Sequence, residues 1–293
     1  MRSPYRHENG ETPRTKFVDL EDALKVSVLA APDAKAFGPV VKSFTEACHC
    51  AEPNIPEAGV DVKLEDIVNG QALWQSMETL HFNVLISGCS RVFTHQLVRA
   101  RVGVTFSQQC FGDHDARHAD ILLHRCLAKP ENAALLAAEI AQALESKAHY
   151  AAKIDSGWIP LQAARRSLPH NTSTFIHMHA NLTAIAGLFR NRICTMTQDW
   201  ETVLFARRLK TAILEAAPWA APALMNPCED GNCWYHKSRF SGFSTTNFFI
   251  PDKVHDTFDW NPKSFIHDAT NEEMSSGPVP IQTVEFDGYE RLL

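Results

Sequence analysis

The stretch Glu78–Cys110, ETLHFNVLISGCSRVFTHQLVRARVGVTFSQQC, reads as a strand, a corner, a short helix and a polar turn in succession. Leu80, Phe82, Val84 and Ile86 alternate with His81, Asn83 and Leu85, which predicts a half-buried strand over Leu80–Ile86 closed by Ser87-Gly88. Ser90 suits the N-cap of the helix SRVFTHQLVRAR, whose Phe93 and Leu97 stand four apart on one face, and Gly103 with its β-branched neighbours ends it. That helix is expected to carry Gln96, Arg99 and Arg101, and the polar turn Ser107-Gln108-Gln109-Cys110 follows. Arginine offers planar paired donors and glutamine an amide edge, so the unit suits an anionic, nucleotide-like ligand.

Outward from this unit the pattern is mostly helical. Upstream, residues 1–16 are polar and expected to be mobile, Leu24–Leu29 alternates like a strand, and a helix is expected over Ala34–Cys48. Ala51–Val62, with Pro53, Pro56 and Gly59, reads as loop, and Leu64–Met77 as helix-like. Downstream, Pro130 opens a long alanine-rich helix expected over Glu131–Lys153, and Gly157–Pro169 is a broken segment holding Arg165 and Arg166. Asn181 opens a helix whose apolar side holds Ile185, Leu188 and Ile193. Arg192 stands eleven residues after Asn181, about three turns, and so projects on the same side. Asp199–Ala216 continues as an amphipathic helix through Trp200, Leu204 and Ile213. We expect one catalytic domain over 17–218, and an irregular extension over 219–293 that packs on the domain or on a neighbouring subunit.

Composition narrows the function classes. A chain of 293 residues with 45% apolar content can bury a full core. Its 34 acidic and 28 basic residues give a charge of -6, so broad attraction for nucleic acid is not expected and any anion site must be a local arginine cluster. The eight cysteines lie mostly in apolar or helical runs, which reads as a reduced, cytoplasmic setting. No run of about 18 apolar residues occurs and the N-terminus has no apolar signal region, so a soluble protein without membrane contact is expected. Cys228-x4-Cys233-x2-His236 offers three ligands where a closed zinc site needs four, and no metal is assigned.

Several of these residues together resemble the flavin-dependent thymidylate synthases. That family's signature is Arg-His-Arg, seven residues, then Ser, and this chain reads Arg99-Ala100-Arg101, eight residues, then Cys110 after Ser107-Gln108-Gln109. Glu78 lies at the spacing of the family's Glu-His pair, and Gly88, Ser90 and Arg91 match its strand-to-helix corner. Pro160, Ala164, Arg165, Leu168 and Pro169 resemble its P-x-E-x-A-R-x-x-L-P segment, with Gln162 where Glu is usual. Asn181, Arg192 and Gln198 fit its N-x10-R-x5-Q helix. The resemblance implies an α/β (α+β) fold with a mixed or antiparallel sheet flanked by long helices, assembled as a homotetramer with active sites between subunits. It implies FAD as cofactor, methylenetetrahydrofolate as carbon donor and NADPH as reductant for methylating C5 of a pyrimidine nucleotide. It gives Arg99, Arg101, Asn181, Gln198 and the Glu78 carboxylate to the flavin, and Gln96, Gln108, Gln109, Cys110, Arg165 and Arg192 to the nucleotide.

The departures gather in the site. Ala100 and Thr79 replace histidines, one residue is added before Cys110, and Phe111-Gly112-Asp113-His114 stands where Arg-Tyr is usual, leaving Arg117 or Arg125 to supply the missing guanidinium. Such changes leave open plain methylation of deoxyuridylate or a related C5 modification, with uridylate or deoxycytidylate as acceptors and methyl or hydroxymethyl as the added group. Methylation needs electron density at C5, and Arg192 against a ring oxygen would stabilise the enolate-like charge. Cys110 reads either as a nucleophile toward the pyrimidine C6 or as a packing substitute for serine. A non-catalytic nucleotide-binding relative is the remaining alternative.

Overall fold

A computed structural model describes residues 14–47, 51, 64, 74–193, 198–225 and 284–287. The frame is an antiparallel four-stranded sheet, ordered β2-β3-β6-β4. Its strands are β2, Lys25–Ala30; β3, His81–Ser90; β4, Val104–Gln108; and β6, Ser173–Asn181. A smaller mixed sheet sets β1, Arg14–Asp19, between β5, Ile121–Leu123, which runs parallel to it, and β7, Val284–Asp287, which runs antiparallel. The expected mixed or antiparallel sheet with long flanking helices is the fold observed.

Period-two alternation sorts the faces of the larger sheet. Phe82, Val84 and Ile86 of β3 and Ile176, Met178 and Ala180 of β6 are fully buried. They pack with Leu204, Phe205, Leu209 and Ile213 of helix α7, Trp200–Ala216, and with Ile185, Leu188 and Phe189 of helix α6, Leu182–Arg192. At about 25 cal/mol per Å² of apolar surface removed from water, burial of this inner face dominates the driving force for the fold. The outer face bears His81, Asn83, His177 and His179, and leaves Leu29 and Phe175 exposed at 59% and 45%.

The sheet positions four short elements and one long one. Helix α1, Leu20–Ala23, and helix α2, Ala34–Glu46, precede β3, and helix α3, Arg91–Leu97, follows it at once. Helix α4, Ala133–Asp155, comes after a 3-10 turn at Pro130–Asn132, and helix α5, Leu161–Ala164, leads into the 3-10 turn Arg165–Ser167. Within β3, Gly88 has φ +64, and a Cβ there would meet the Ala23 carbonyl oxygen at 2.0 Å. Only glycine fits that bulge, where the register with β6 slips between Ser87 and Cys89.

Several boundaries differ from the sequence reading. β3 runs on through the expected Ser87-Gly88 stop to Ser90, because the bulge lets pairing resume with Thr174 and Ser173. α3 ends at Leu97 instead of Arg101, so Arg99 stands in a turn closed by Ala100 N donating to the Leu97 carbonyl, and Arg101 follows it. Ser107 and Gln108 belong to β4, paired with His177 and Ile176, and are not turn residues. β1 takes in Arg14, Thr15 and Lys16 of the segment expected to be mobile. Leu64–Met77 is helix-like in part: a 3-10 turn covers Trp74–Thr79, and 65–73 lie outside the described residues. Most of the expected loop over Ala51–Val62 and the Cys228–His236 segment also lie outside them. Among the described residues no helix is long and apolar enough to cross a membrane, and no cluster of three metal-ligating side chains occurs.

Candidate active site

Two helix ends converge to make the first part of the site. α3 starts where β3 stops and α6 starts where antiparallel β6 stops, so they leave opposite ends of the sheet. Their C-terminal ends meet. Arg192 Nη2 donates to the Gln96 carbonyl at 3.1 Å, and Arg192 Nη1 donates to Gln198 Oε1 at 2.9 Å. Arg99 Nη1 reaches Gln96 Oε1 at 3.4 Å. Burial pushes the Arg192 guanidinium down from its usual range, and the nearby charge of Arg99 pushes it further. Two cations held this close favour a shared anionic partner.

A cavity of about 480 Å³ opens beside them. Glu78, Arg99, Arg101, Asn181 and Arg192 all line it, together with Ala100, which stands where the family pattern has histidine. Asn181 is the N-cap of α6, its Oδ1 accepting from Ala184 N at 2.8 Å, and its own N–H donates to the Gly103 carbonyl at 3.0 Å. Gly103 has φ +70 and a Cβ there would strike the Asn181 amide at 2.6 Å, so the turn after Arg101 lies directly on the helix start. Thr183 lines the same cavity, and its buried Oγ1 has no hydrogen-bond partner among the described residues. An orphaned hydroxyl at a helix start, two arginines and a bare glycine, Gly187, with nothing within 4 Å of its would-be Cβ form a wall suited to a large anionic cofactor such as FAD. Sequence reasoning missed Thr183; its place two residues after the Asn181 cap was the available signal.

The second part lies at the other end of α3. Arg91 Nη1 donates to the Gln109 carbonyl at 3.4 Å, and its guanidinium lies 5.2 Å from the centre of the Phe111 ring. Arg165 Nη1 donates to Cys110 Sγ at 3.5 Å. Burial lowers Arg91 first, and Arg165's charge lowers it further. Neither arginine makes an ion pair among the described residues. The two arginines expected to replace the missing guanidinium are already committed: Arg117 to Asp115 and Asp155, and Arg125 to Asp19, Glu21 and Asp22. Arg91 is the guanidinium that meets this loop, and its signal was the Ser90-Arg91 corner.

Three predicted residues make protein contacts in place of open ones. Gln108 Nε2 donates to Thr94 Oγ1 at 2.6 Å, Gln109 is bonded at both ends of its amide, and Gln198 braces Arg192 without lining the 480 Å³ cavity. That cavity also excludes Gln109, Cys110 and Arg165, so within one chain the two groups line no common space there. A second cleft, about 650 Å³, lies along α4 and the Arg166–Asn171 segment and includes none of the predicted site residues.

The loop carrying Cys110 is held from beneath by α4. Lys147 Nζ donates to the carbonyls of Ala116, Arg117 and Ala119 at 2.7–2.9 Å, and the Tyr150 hydroxyl accepts from Ala116 N at 2.9 Å. Burial pushes the Lys147 amine down to about 7. Asp120, and after it Asp115, fixed by Arg117, are compensating charges.

The thymidylate synthase complementing protein family matches residues 39–219, more than half of the chain. The chain belongs to that family, the flavin-dependent thymidylate synthases. None of the curated proteins matches it in sequence. Among solved structures it is similar to the UMP/dUMP methylase PolB from Streptomyces cacaoi. With the form bound to 5-Br dUMP it shares 15% identity and a TM-score of 0.54, covering 71% of this chain and 95% of that one. With the form bound to 5-Br UMP the values are 15%, 0.55, 72% and 96%.

Proposed function

We propose that the protein methylates C5 of a pyrimidine nucleoside monophosphate, dUMP or UMP, with methylenetetrahydrofolate as carbon donor. The observation that carries this reading is the meeting of Arg99, Gln96 and Arg192 at the rim of a cavity walled by Arg101, Glu78, Asn181 and the unpartnered Thr183 hydroxyl. FAD would be held by Arg99, Arg101, Asn181 and Glu78, and when bound and reduced, with NADPH recharging it, it supplies the hydride no side chain can.

The chain's own groups do the rest. Arg192 has two of its donors fixed by Gln198 and the Gln96 carbonyl, so the guanidinium is oriented before substrate arrives. A half-buried cation of fixed aim stabilises negative charge developing on a pyrimidine oxygen better than a mobile one. Arg91 and Arg165, two guanidiniums without a carboxylate partner among the described residues, suit the nucleotide phosphate. Cys110 sits beside Arg165 in the nucleotide's reach. Assembly as a homotetramer would bring the two groups into one site from different subunits, and the exposed Leu29 and Phe175 on the outer sheet face support such a contact.

One contact favours a second reading, flavin-independent attack by Cys110 at C6, because the Arg165 N–H aimed at Sγ suits a sulfur nucleophile. Product formation from dUMP and from UMP, followed by mass spectrometry with FAD, methylenetetrahydrofolate and NADPH, separates the two. The flavin reading expects Cys110→Ser to keep most activity and omission of FAD to abolish it. The reverse pattern would sink it.

A further inference from the structure

The loop that carries Cys110 is tied by a chain of side-chain hydrogen bonds whose polarity, with the Gln109 amide oxygen on Thr174 and a neutral imidazole, closes in one way. Thr174 Oγ1 donates to Gln109 Oε1 at 3.1 Å, which turns the Gln109 amide nitrogen toward His114. Gln109 Nε2 and His114 Nε2 lie 3.0 Å apart. An amide nitrogen only donates, so His114 Nε2 is the acceptor and carries no proton. The ring proton is then on Nδ1, which lies 3.1 Å from the Cys110 carbonyl oxygen and donates to it. The other neutral tautomer would set N–H against N–H at one end of the ring and a lone pair against a carbonyl oxygen at the other.

We propose that His114, as the Nδ1–H tautomer, is the positioning residue of the nucleotide loop. It fixes the Gln109 amide and the Cys110 backbone together, and so sets Cys110 Sγ where Arg165 Nη1 meets it. The anchor is firm because Thr174 is buried on the central strand β6, and because the His114 ring leans on Phe111, 5.6 Å between centres, with Arg91 lying against that same ring. The chain also withdraws Gln109 from ligand contact. What the loop then offers a nucleotide is Cys110 with Arg91 and Arg165 beside it. His114 comes from the segment that departs from the family pattern, so the device belongs to this chain's own loop.

The role as a nucleotide loop rests on the function proposed above; the tautomer does not. Nitrogen NMR of the full chain labelled with ¹⁵N-histidine, with His114 assigned by the signal lost in His114→Gln, reads the tautomer directly. A protonated Nδ1 and bare Nε2 are expected, and a protonated Nε2 would overturn the proposal. Iodoacetamide labelling of Cys110, followed on its own peptide by mass spectrometry with Cys110→Ser as the blank, reads the positioning. His114→Ala and Gln109→Ala are each expected to change the labelling rate by about fivefold, as loss of one hydrogen bond implies, and the double variant by no more than either. Additive effects, or none, would overturn it. Protection of Cys110 by dUMP tests the nucleotide reading separately: its absence, with the tautomer and the coupling intact, would sink that reading and leave His114's place in the loop standing.

Discussion

The guanidinium of Arg192 is held from two sides, by Gln198 Oε1 and by the Gln96 carbonyl, and burial together with Arg99 weakens its hold on its proton. Replacing it with alanine is expected to lower kcat by about 10²–10³, the usual cost of removing one donor aimed at developing charge. Arg192→Lys keeps the charge but cannot bridge both acceptors, so it should fall between the two; steady-state rates with dUMP check this, and a lysine variant as slow as alanine would show that geometry, not charge, matters. Arg91 and Arg117 make a sharper pair. Arg91→Ala should weaken nucleotide binding about tenfold or more, since a guanidinium on phosphate makes charge-assisted bonds, while Arg117→Ala, already saturated by Asp115 and Asp155, should leave it within about twofold. Calorimetric titration with dUMP decides between them. The arginine at 91 was visible in the sequence only as part of a corner, because nothing in a linear pattern tells that Arg117 and Arg125 spend their charges on carboxylates from other elements.

At the scale of elements, the corner between β3 and α3 depends on Ser90. Its Oγ accepts from Phe93 N at 3.1 Å as the helix cap, while its N–H and hydroxyl donate to the two carboxylate oxygens of Glu201, each at 2.6 Å. The cap was legible in the sequence, and Glu201, 111 residues away on α7, was not. Burial pushes the Glu201 carboxyl up to about 7 despite the Ser90 bonds, which pull the other way. The sign follows from linkage. The folded carboxyl binds its proton more tightly than the unfolded one, so this group's stabilising contribution is complete below about pH 4 and is lost as pH rises to about 7. The loss is on the order of 3 kcal/mol. Glu201→Gln retains both contacts, its amide oxygen accepting from Ser90 N and its amide nitrogen donating to Ser90 Oγ, and should flatten that part of the stability profile. Urea unfolding at about pH 5 and pH 8 measures it; an unchanged slope in the variant would refute the assignment. Strand β6 was the larger omission of the sequence reading, which assigns no element to 170–180. Its inward residues Thr174, Ile176, Met178 and Ala180 do alternate, but two outward histidines and the short run after Pro169 dilute the signal, and its position is fixed by pairing with β3 and β4.

At the scale of the molecule, strand β3, the Ser90 cap and the long helices were legible because each is a local pattern with a local cause, while β6, at the centre of the frame, was not. The site is less legible for the same reason. Arg99, Arg101, Asn181, Glu78 and Arg192 meet in one cavity because two helices leave opposite ends of an antiparallel sheet, and Cys110, Arg165 and Arg91 gather at the far end of α3. The central claim is that the first group holds FAD beside a nucleotide-binding group. An absorption spectrum of the purified protein with FAD, before and after dithionite and then with dUMP or UMP added, tests it most directly. The account predicts a stoichiometric flavin band that bleaches on reduction and, in the oxidised protein, shifts when one of the two nucleotides binds; a protein that retains no FAD and shows no spectral response to either nucleotide would contradict it.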